Sequence, residues 1–531
     1  MRYLTAFLFL LCSLSLYSSD NYPRDSKIDV QNYRFDIYLS DSYNMISGEA
    51  YIRIAHTGKS NTIGLDLIGI GEDGKGMKVE SVTVDEKKVD YTHSEGRLII
   101  ALDNEVSEGS TSTVYIKYYG TPANGLIIAQ NKYGDRTFFA DNWPDRARHW
   151  IPCVDHPSDK AKVEFKIFAP SHYKVVANGK LVEESDLPEG IKLTHWREDI
   201  SIPTKVMVFG AAKFASQLVE TVGGIDIWSY VFPEDRDNGF GDYAIAVEPF
   251  IFFCDEIGSY PYEKLANVQS KTMFGGMENA GCIFYSERSV TGNKKIEGLM
   301  AHEIAHQWFG NSVTENDWHH VWLSEGFATY FTSRYMEFKY GKTRMRTDMT
   351  HSRNRVIRAI ERNPAPVIDT TISNLMNLLS TYSYQKGAWV LHMMRNELGD
   401  TDFKTCIRTY YSRFRNQTAL TSDLKNTVID VAGIDLSGFF QQWLYREDIP
   451  ILSTSWEYSQ RRKEIQLTIT QMQEGEPFVF PLDVEITQIK GDKLLENFSI
   501  NKRVNSFTIK CESKPDMIIP DPEVKLLFSE Q

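Results

Sequence analysis

His302-Glu303-Ile304-Ala305-His306 sets two imidazoles four residues apart, which on a helix puts both on one face. Trp322-Leu323-Ser324-Glu325-Gly326 follows, with Glu325 nineteen positions after His306 at what reads as the start of a second helix. If the three side chains share one metal ion, the chain between them must bring the two helices together. Two imidazoles and a carboxylate form the ligand set of a catalytic zinc that keeps one position open for water. Glu303, between the histidines, can face the same site and accept a proton from that water. A lone histidine in an apolar helix is more often a packed, hydrogen-bonded residue, and the spaced acid is what argues otherwise here. His319 and His320 precede Glu325 in a polar connecting segment and read as structural residues rather than ligands.

Around this centre the hydrophobic period changes twice. From about 27 to 212 it is close to two, with Tyr33, Phe35, Ile37 and Leu39 on one strand face and further runs at 51–54 and 114–119. Asn178-Gly179 and Pro188-Glu189-Gly190 read as turns. This predicts an N-terminal β domain of sandwich type. Over 213–447 helical spacing dominates. Ile296, Leu299, Met300 and Ile304 predict an apolar helix face that runs until Gly310, and further helices are expected at about 327–363, 387–398, 402–413 and 437–446. From 448 to 531 alternation returns, with Ile465, Leu467 and Ile469 on one strand and Leu482, Val484 and Ile486 on another. The expected fold class is multidomain α+β, ending in a small β-sandwich domain.

A chain of 531 residues has room for two to four such domains. Its formal charge of −13, with no basic stripe, argues against a nucleic-acid partner. Residues 1–20 read as a signal peptide: Met1-Arg2-Tyr3, an apolar run from Leu4 to Leu16, then Ser18 and Ser19. The expected destination is periplasmic or extracellular, with no stable transmembrane segment after processing. Cys12 raises lipid anchoring as an alternative, though Leu10-Leu11 before it makes a poor lipobox. The remaining five cysteines are too scattered for a disulfide framework.

Three longer motifs carry a resemblance. Gly275-Gly276-Met277-Glu278-Asn279, His302 to Asn311, and Trp322 to Ala328 are similar to the aminopeptidase N family of zinc metallopeptidases, which includes the leukotriene hydrolases. Tyr384-Gln385-Lys386-Gly387-Ala388 resembles a fourth motif of that family. The resemblance implies a β-rich N-terminal saddle, a thermolysin-like catalytic domain and one zinc ion held by His302, His306 and Glu325. It implies that Glu303 is the catalytic base and that Tyr384 stabilises the oxyanion, with Tyr382 a near neighbour. It further implies that Gly275, Gly276, Met277, Glu278 and Asn279 bind the substrate, with Glu278 pairing with its free α-amine. The long C-terminal helical domain of larger members does not follow the β domain here, so a more open cleft is expected.

One position departs from the pattern. Many relatives carry Glu or Gln shortly before an Ala-Arg-x-x-x-Pro-Cys segment, as a second anchor for the amine. Before Ala147-Arg148-His149-Trp150-Ile151-Pro152-Cys153 the matching position is Trp143, with Asp141 or Asn142 as candidate substitutes. The leading expectation is removal of single N-terminal residues from peptides with a free N-terminus. An endopeptidase or epoxide hydrolase on the same metal site is one alternative, and a catalytically silent binding protein another.

Overall fold

The computed structural model describes residues 20–488 and 492–531. The leader expectation and Cys12 therefore lie outside the described residues, apart from Asp20. Tyr33, Phe35, Ile37 and Leu39 are all buried, as period-two alternation demands. The first three belong to the strand Ile28–Tyr38, which runs antiparallel to Ile46–His56 and parallel to Lys160–Pro170 inside an eight-stranded sheet. A four-stranded and a three-stranded sheet complete this β-rich region.

The middle region begins with a five-stranded sheet in the order 215–222, 225–231, 264–270, 282–286, 276–277. Its central strand Lys264–Ser270 is buried along its whole length, as expected of a strand with parallel neighbours and both faces covered. The short edge strand Gly276–Met277 pairs antiparallel with Cys282–Ser286. Helices then take over, and four of them differ from the periodic reading. The helix Glu297–Ala305 stops before Gly310, because Gln307 N and Trp308 N turn back tightly onto the carbonyls of Ile304 and Ala305. The 327–363 pattern is two helices, Trp322–Tyr340 and Lys342–Arg362, broken at Gly341 with φ of 85°. The helix Thr421–Ala432 was not singled out. Only Thr421, Leu424, Thr427 and Val428 of it are buried, so its apolar stripe is thin, though Gly433 ends it in the left-handed conformation. The helical segment Gly387–Phe414 spans both expected pieces, with a break at Gly399.

In the last region Ile465, Leu467 and Ile469 lie buried on a four-stranded sheet, and Leu482, Val484 and Ile486 on a three-stranded one. They form the facing interior of a sandwich. The five described cysteines are free thiols. Among the described residues no helix is long and apolar enough to cross a membrane.

Candidate active site

His302 lies in the last turn of the helix Glu297–Ala305, and His306 caps it. Their Nε2 atoms face each other at 3.1 Å, with the rings perpendicular. The Glu325 carboxylate comes in from the first turn of Trp322–Tyr340, with Oε2 at 3.5 Å from His302 Nε2 and 3.3 Å from His306 Nε2. His306 Nδ1 lies 3.1 Å from both the Phe309 carbonyl and the Ser324 hydroxyl. The carbonyl can only accept, so Nδ1 carries a hydrogen and Nε2 is the ring atom turned toward the cluster, able to bind a cation in place of a proton.

The electrostatics of this trio follow from sharing one small buried space. Burial holds the His302 imidazole below its usual pKa. Burial works the same way on His306, but the charges on Glu325, Glu278 and Glu303 outweigh it and lift that ring to about 9. Two rings so close resist both being cationic, so the acids favour the positive charge on one of them, where a metal cation can take its place. Glu325 stays ionised despite burial, since both imidazoles pull its pKa down. These ligand atoms lie within 4.8 Å of one another, the donor set that fits a small divalent cation.

Glu303 is 4 % exposed, and its carboxyl is pushed well above the usual range by burial and by the Glu278 and Glu325 charges. The strand Gly276–Met277 passes directly over it: a Cβ on Gly276 would overlap the Glu303 carboxylate. This close approach is why a glycine stands there. Glu278, on the same segment, shares a 4.8 Å group with Glu303 and His306. Its Oε1 is buried and has no hydrogen-bond partner within the protein. Gln307 and Asn311, one and five residues past His306, donate to the Glu278 carbonyl at 2.8 and 2.6 Å and hold that segment in place.

A cleft of about 270 Å³ joins these groups. Gly275, Gly276, Met277, Glu278, His302, Glu303, His306, Glu325 and Tyr384 line it, together with Trp143, Phe274, Leu299 and Leu379. Asn279 does not. It is fully buried, because the chain turns away from the cleft there, the Asn279 carbonyl accepting from Cys282 N at 3.0 Å. Tyr384 stacks parallel to His302 with ring centroids 5.9 Å apart. It rides on the π-helical turn Tyr382–Lys386, and that turn docks where Gly326 and Gly387 face each other. A Cβ on Gly387 would stand 3.2 Å from Gly326 Cα, so both glycines serve this helix contact beside Glu325. Burial, then the charges on Glu325, Glu278 and Glu303, keep the Tyr384 phenol well above its ordinary pKa, hence a donor. Tyr382 points elsewhere and donates to the Asn363 carbonyl.

Asp141 and Asn142 do not replace a second amine anchor. Asp141 binds Arg146 Nη2 at 2.8 Å and Met273 N at 3.1 Å. Asn142 donates to the carbonyls of Thr204 and Met207 and accepts from Trp150. Trp143 supplies cleft wall instead, packed edge-on against Phe274 and Trp318. His319 and His320 lie outside the cleft, against Asp317 and Thr421. Phe274, Leu299 and Leu379 were missed as lining residues. Phe274 adjoins a quoted motif, but nothing in the sequence marks Leu379, which follows the short turn Leu375–Leu378 just before the turn that carries Tyr384.

The model of the peptidase M1 N-terminal domain matches residues 29–206, and that of the peptidase family M1 domain residues 243–443. A probable aminopeptidase 2 of Sulfurisphaera tokodaii is 25% identical over 80% of this chain and 54% of its own length. A leucyl aminopeptidase of Saccharolobus solfataricus is 24% identical with the same coverage. The bovine glutamyl aminopeptidase is 27% identical over 59% of this chain and 34% of its own length. This chain spans about half the length of the first two relatives. A Legionella pneumophila aminopeptidase A, solved in complex with aspartic acid, superposes over 97% of this chain and 61% of its own with a TM-score of 0.83, at 16% identity. That likeness concerns the fold. The two models between them cover the β-rich region and the region holding the cleft, and the chain belongs to peptidase family M1.

Proposed function

We propose that this protein is a zinc-dependent aminopeptidase that hydrolyses the first peptide bond of peptides with a free N-terminus. The observation that carries the reading is the unpartnered, buried Glu278 carboxylate oxygen beside the His-His-Glu cluster. A buried acceptor without a donor is costly unless a ligand supplies one, and a substrate ammonium does so with charge as well. Only a chain terminus offers that group next to a peptide bond, and the relatives named aminopeptidases support the same conclusion.

His302, His306 and Glu325 would hold the zinc. When bound, it supplies Lewis acidity, polarising the scissile carbonyl and acidifying water. Glu303, lining the cleft beside the trio, accepts a proton from the attacking water and returns it to the leaving amine. The Tyr384 hydroxyl donates to the oxygen on which negative charge develops. The edge strand Gly276–Met277 offers its backbone to an extended substrate, and Met277 and Phe274 present apolar surface to its first side chain. Comparing one peptide with its N-acetylated form tests the reading. The blocked peptide is expected to be inert, and equal cleavage of both would defeat the exopeptidase assignment.

The apolar run Leu4–Leu16 followed by Ser18 and Ser19 supports export of this enzyme. Cell fractionation tests that, with activity expected outside the cytoplasm.

A further inference from the structure

Lys386 stands two residues past Tyr384 on the π-helical turn Tyr382–Lys386 and is fully buried. Among the described residues no carboxylate pairs with its ammonium. Asp448, whose charge it feels, is closed on Arg446 instead, accepting from Nε at 3.0 Å and from Nη2 at 2.9 Å. Lys386 Nζ donates to three backbone carbonyls: Arg446 at 2.6 Å, Glu447 at 3.4 Å and Ala365 at 3.5 Å. Burial pulls the ammonium down to about 7, a sign that this place suits a charge poorly. A methionine would fill a similar volume without that cost. What the lysine adds is its donors.

The carbonyls it gathers belong to segments that are themselves anchored. Arg446 and Glu447 follow the helix Ser437–Tyr445, whose last carbonyls have no donors within the helix. The Arg446 guanidinium lies over the ring of Phe478, 3.6 Å from its centroid, and Phe478 is a buried residue of the C-terminal β region. Ala365 lies just past the helix Lys342–Arg362, and two residues on Val367 N and Ile368 N both donate to the Leu444 carbonyl at 3.0 Å. Tyr382 grips the same stretch through the Asn363 carbonyl. Neither Tyr382 nor Lys386 lines the cleft, whereas Tyr384, between them, does.

We propose that Lys386 is the positioning residue for Tyr384: it moors the turn to the chain entering the C-terminal β region and so fixes where the phenol meets the substrate. None of the residues lining the cleft comes from 448–531. That region nevertheless takes part in turnover, through Phe478 and Asp448 on Arg446, the 446–447 carbonyls on Lys386, and the turn that carries Tyr384. The inference rests on the aminopeptidase reading, in which the Tyr384 hydroxyl donates to the developing oxyanion.

Steady-state kinetics and zinc analysis on four proteins test it: the parent, Lys386→Met, Tyr384→Phe and the double variant. Lys386→Met should lower kcat by about 10–10²-fold, the cost of misplacing a reacting group by about 1 Å, with KM and zinc content little changed. In the Tyr384→Phe background the same substitution should cost less than about twofold, because the group it positions is already gone. Equal losses in both backgrounds, or loss of zinc, would mean a general loosening of the fold and overturn the inference, as would an undiminished kcat in Lys386→Met. Full kcat in Tyr384→Phe would overturn the oxyanion reading and this inference together, whereas the other results overturn the inference alone. Lys386→Gln keeps a donor on a slightly shorter side chain and should fall between the parent and the methionine variant. If only the glutamine variant folds, the comparison is made with it, and an undiminished kcat or a drop of equal size in both backgrounds defeats the assignment.

Discussion

Two pairs of histidines lie less than twenty residues apart and are used in opposite ways. His319 and His320 have partners inside the protein: Asp317 Oδ1 at 3.2 Å for one and the Thr421 hydroxyl at 2.8 Å for the other. His302 and His306 turn their Nε2 atoms toward each other and toward Glu325, and no protein donor stands between them. Both pairs sit beside an acid and both are largely buried. The difference lies in whether the ring nitrogens close on protein groups or converge on a shared point. Convergence of three donors on one point is what a cation requires, and a buried imidazole with its own partner is structural.

The strongest way to break this comparison is to remove a ligand. Glu325→Ala or His306→Ala should reduce bound zinc well below one per chain and take turnover to background. His320→Ala should leave zinc content intact. Metal analysis on purified protein decides it, and equal zinc loss at both sites would erase the distinction. Glu303→Gln asks a narrower question, since that carboxyl borders the trio without belonging to it. It should retain zinc and lose about 10²–10⁴-fold in turnover, the usual worth of a positioned acid–base. Full activity with zinc bound would remove Glu303 from the proton-transfer role.

The two tyrosines of the π-helical turn sharpen the same contrast on a smaller scale. Tyr384→Phe should lower kcat by about 10²–10³-fold with little change in KM, as for other single oxyanion donors. Tyr382→Phe removes a hydroxyl already committed to the Asn363 carbonyl, so kcat should stay near that of the parent. Steady-state kinetics on one aminoacyl substrate separates these outcomes. If the two variants fall equally, the turn is acting as a scaffold and the phenol of Tyr384 has no special part.

How legible these features were depends on range. Spacing within one or two helical turns revealed His302, Glu303 and His306, because a helix converts sequence distance into geometry directly. Alternation revealed the strands that bury Tyr33 to Leu39 and Ile465 to Ile469 for the same reason. Glu325 was marked by its spacing after His306, whereas Tyr384 needed motif resemblance, since nothing local says that Gly326 and Gly387 let their helices touch. Leu379 was invisible, being one leucine among many until the chain folded it against the cleft. Asn279 shows the opposite failure: motif membership suggested contact with substrate, whereas a single turn of the backbone buried it. Helix ends were misjudged at Gly310 and Gly341 because apolar spacing continued past the point where the carbonyls found other donors.

The smallest effect concerns the closed pair and its dependence on pH. Burial pulls the His320 ring down to about 4, outweighing the Asp317 charge that would raise it. In the unfolded chain the same ring titrates near 6.5, so as pH falls from 6.5 toward 4 only the unfolded state takes up this proton. Stability is therefore lost across that window and unaffected above it, by at most about 3 kcal/mol and less where water enters the site. His319 acts in the reverse direction: its raised pKa contributes stability below 6.5 that fades as pH rises through the folded value. Asp317, held low, begins to lose its contribution only below the unfolded aspartate range near 4. Neither neighbour can mimic the His320 term between 6.5 and 4, so the difference between the parent and His320→Gln isolates it. Denaturant unfolding at several pH values should show a shallower decline in the variant. Parallel curves would mean that the ring accepts its proton within the folded protein, and then His320 would be no more closed than the histidines of the cleft.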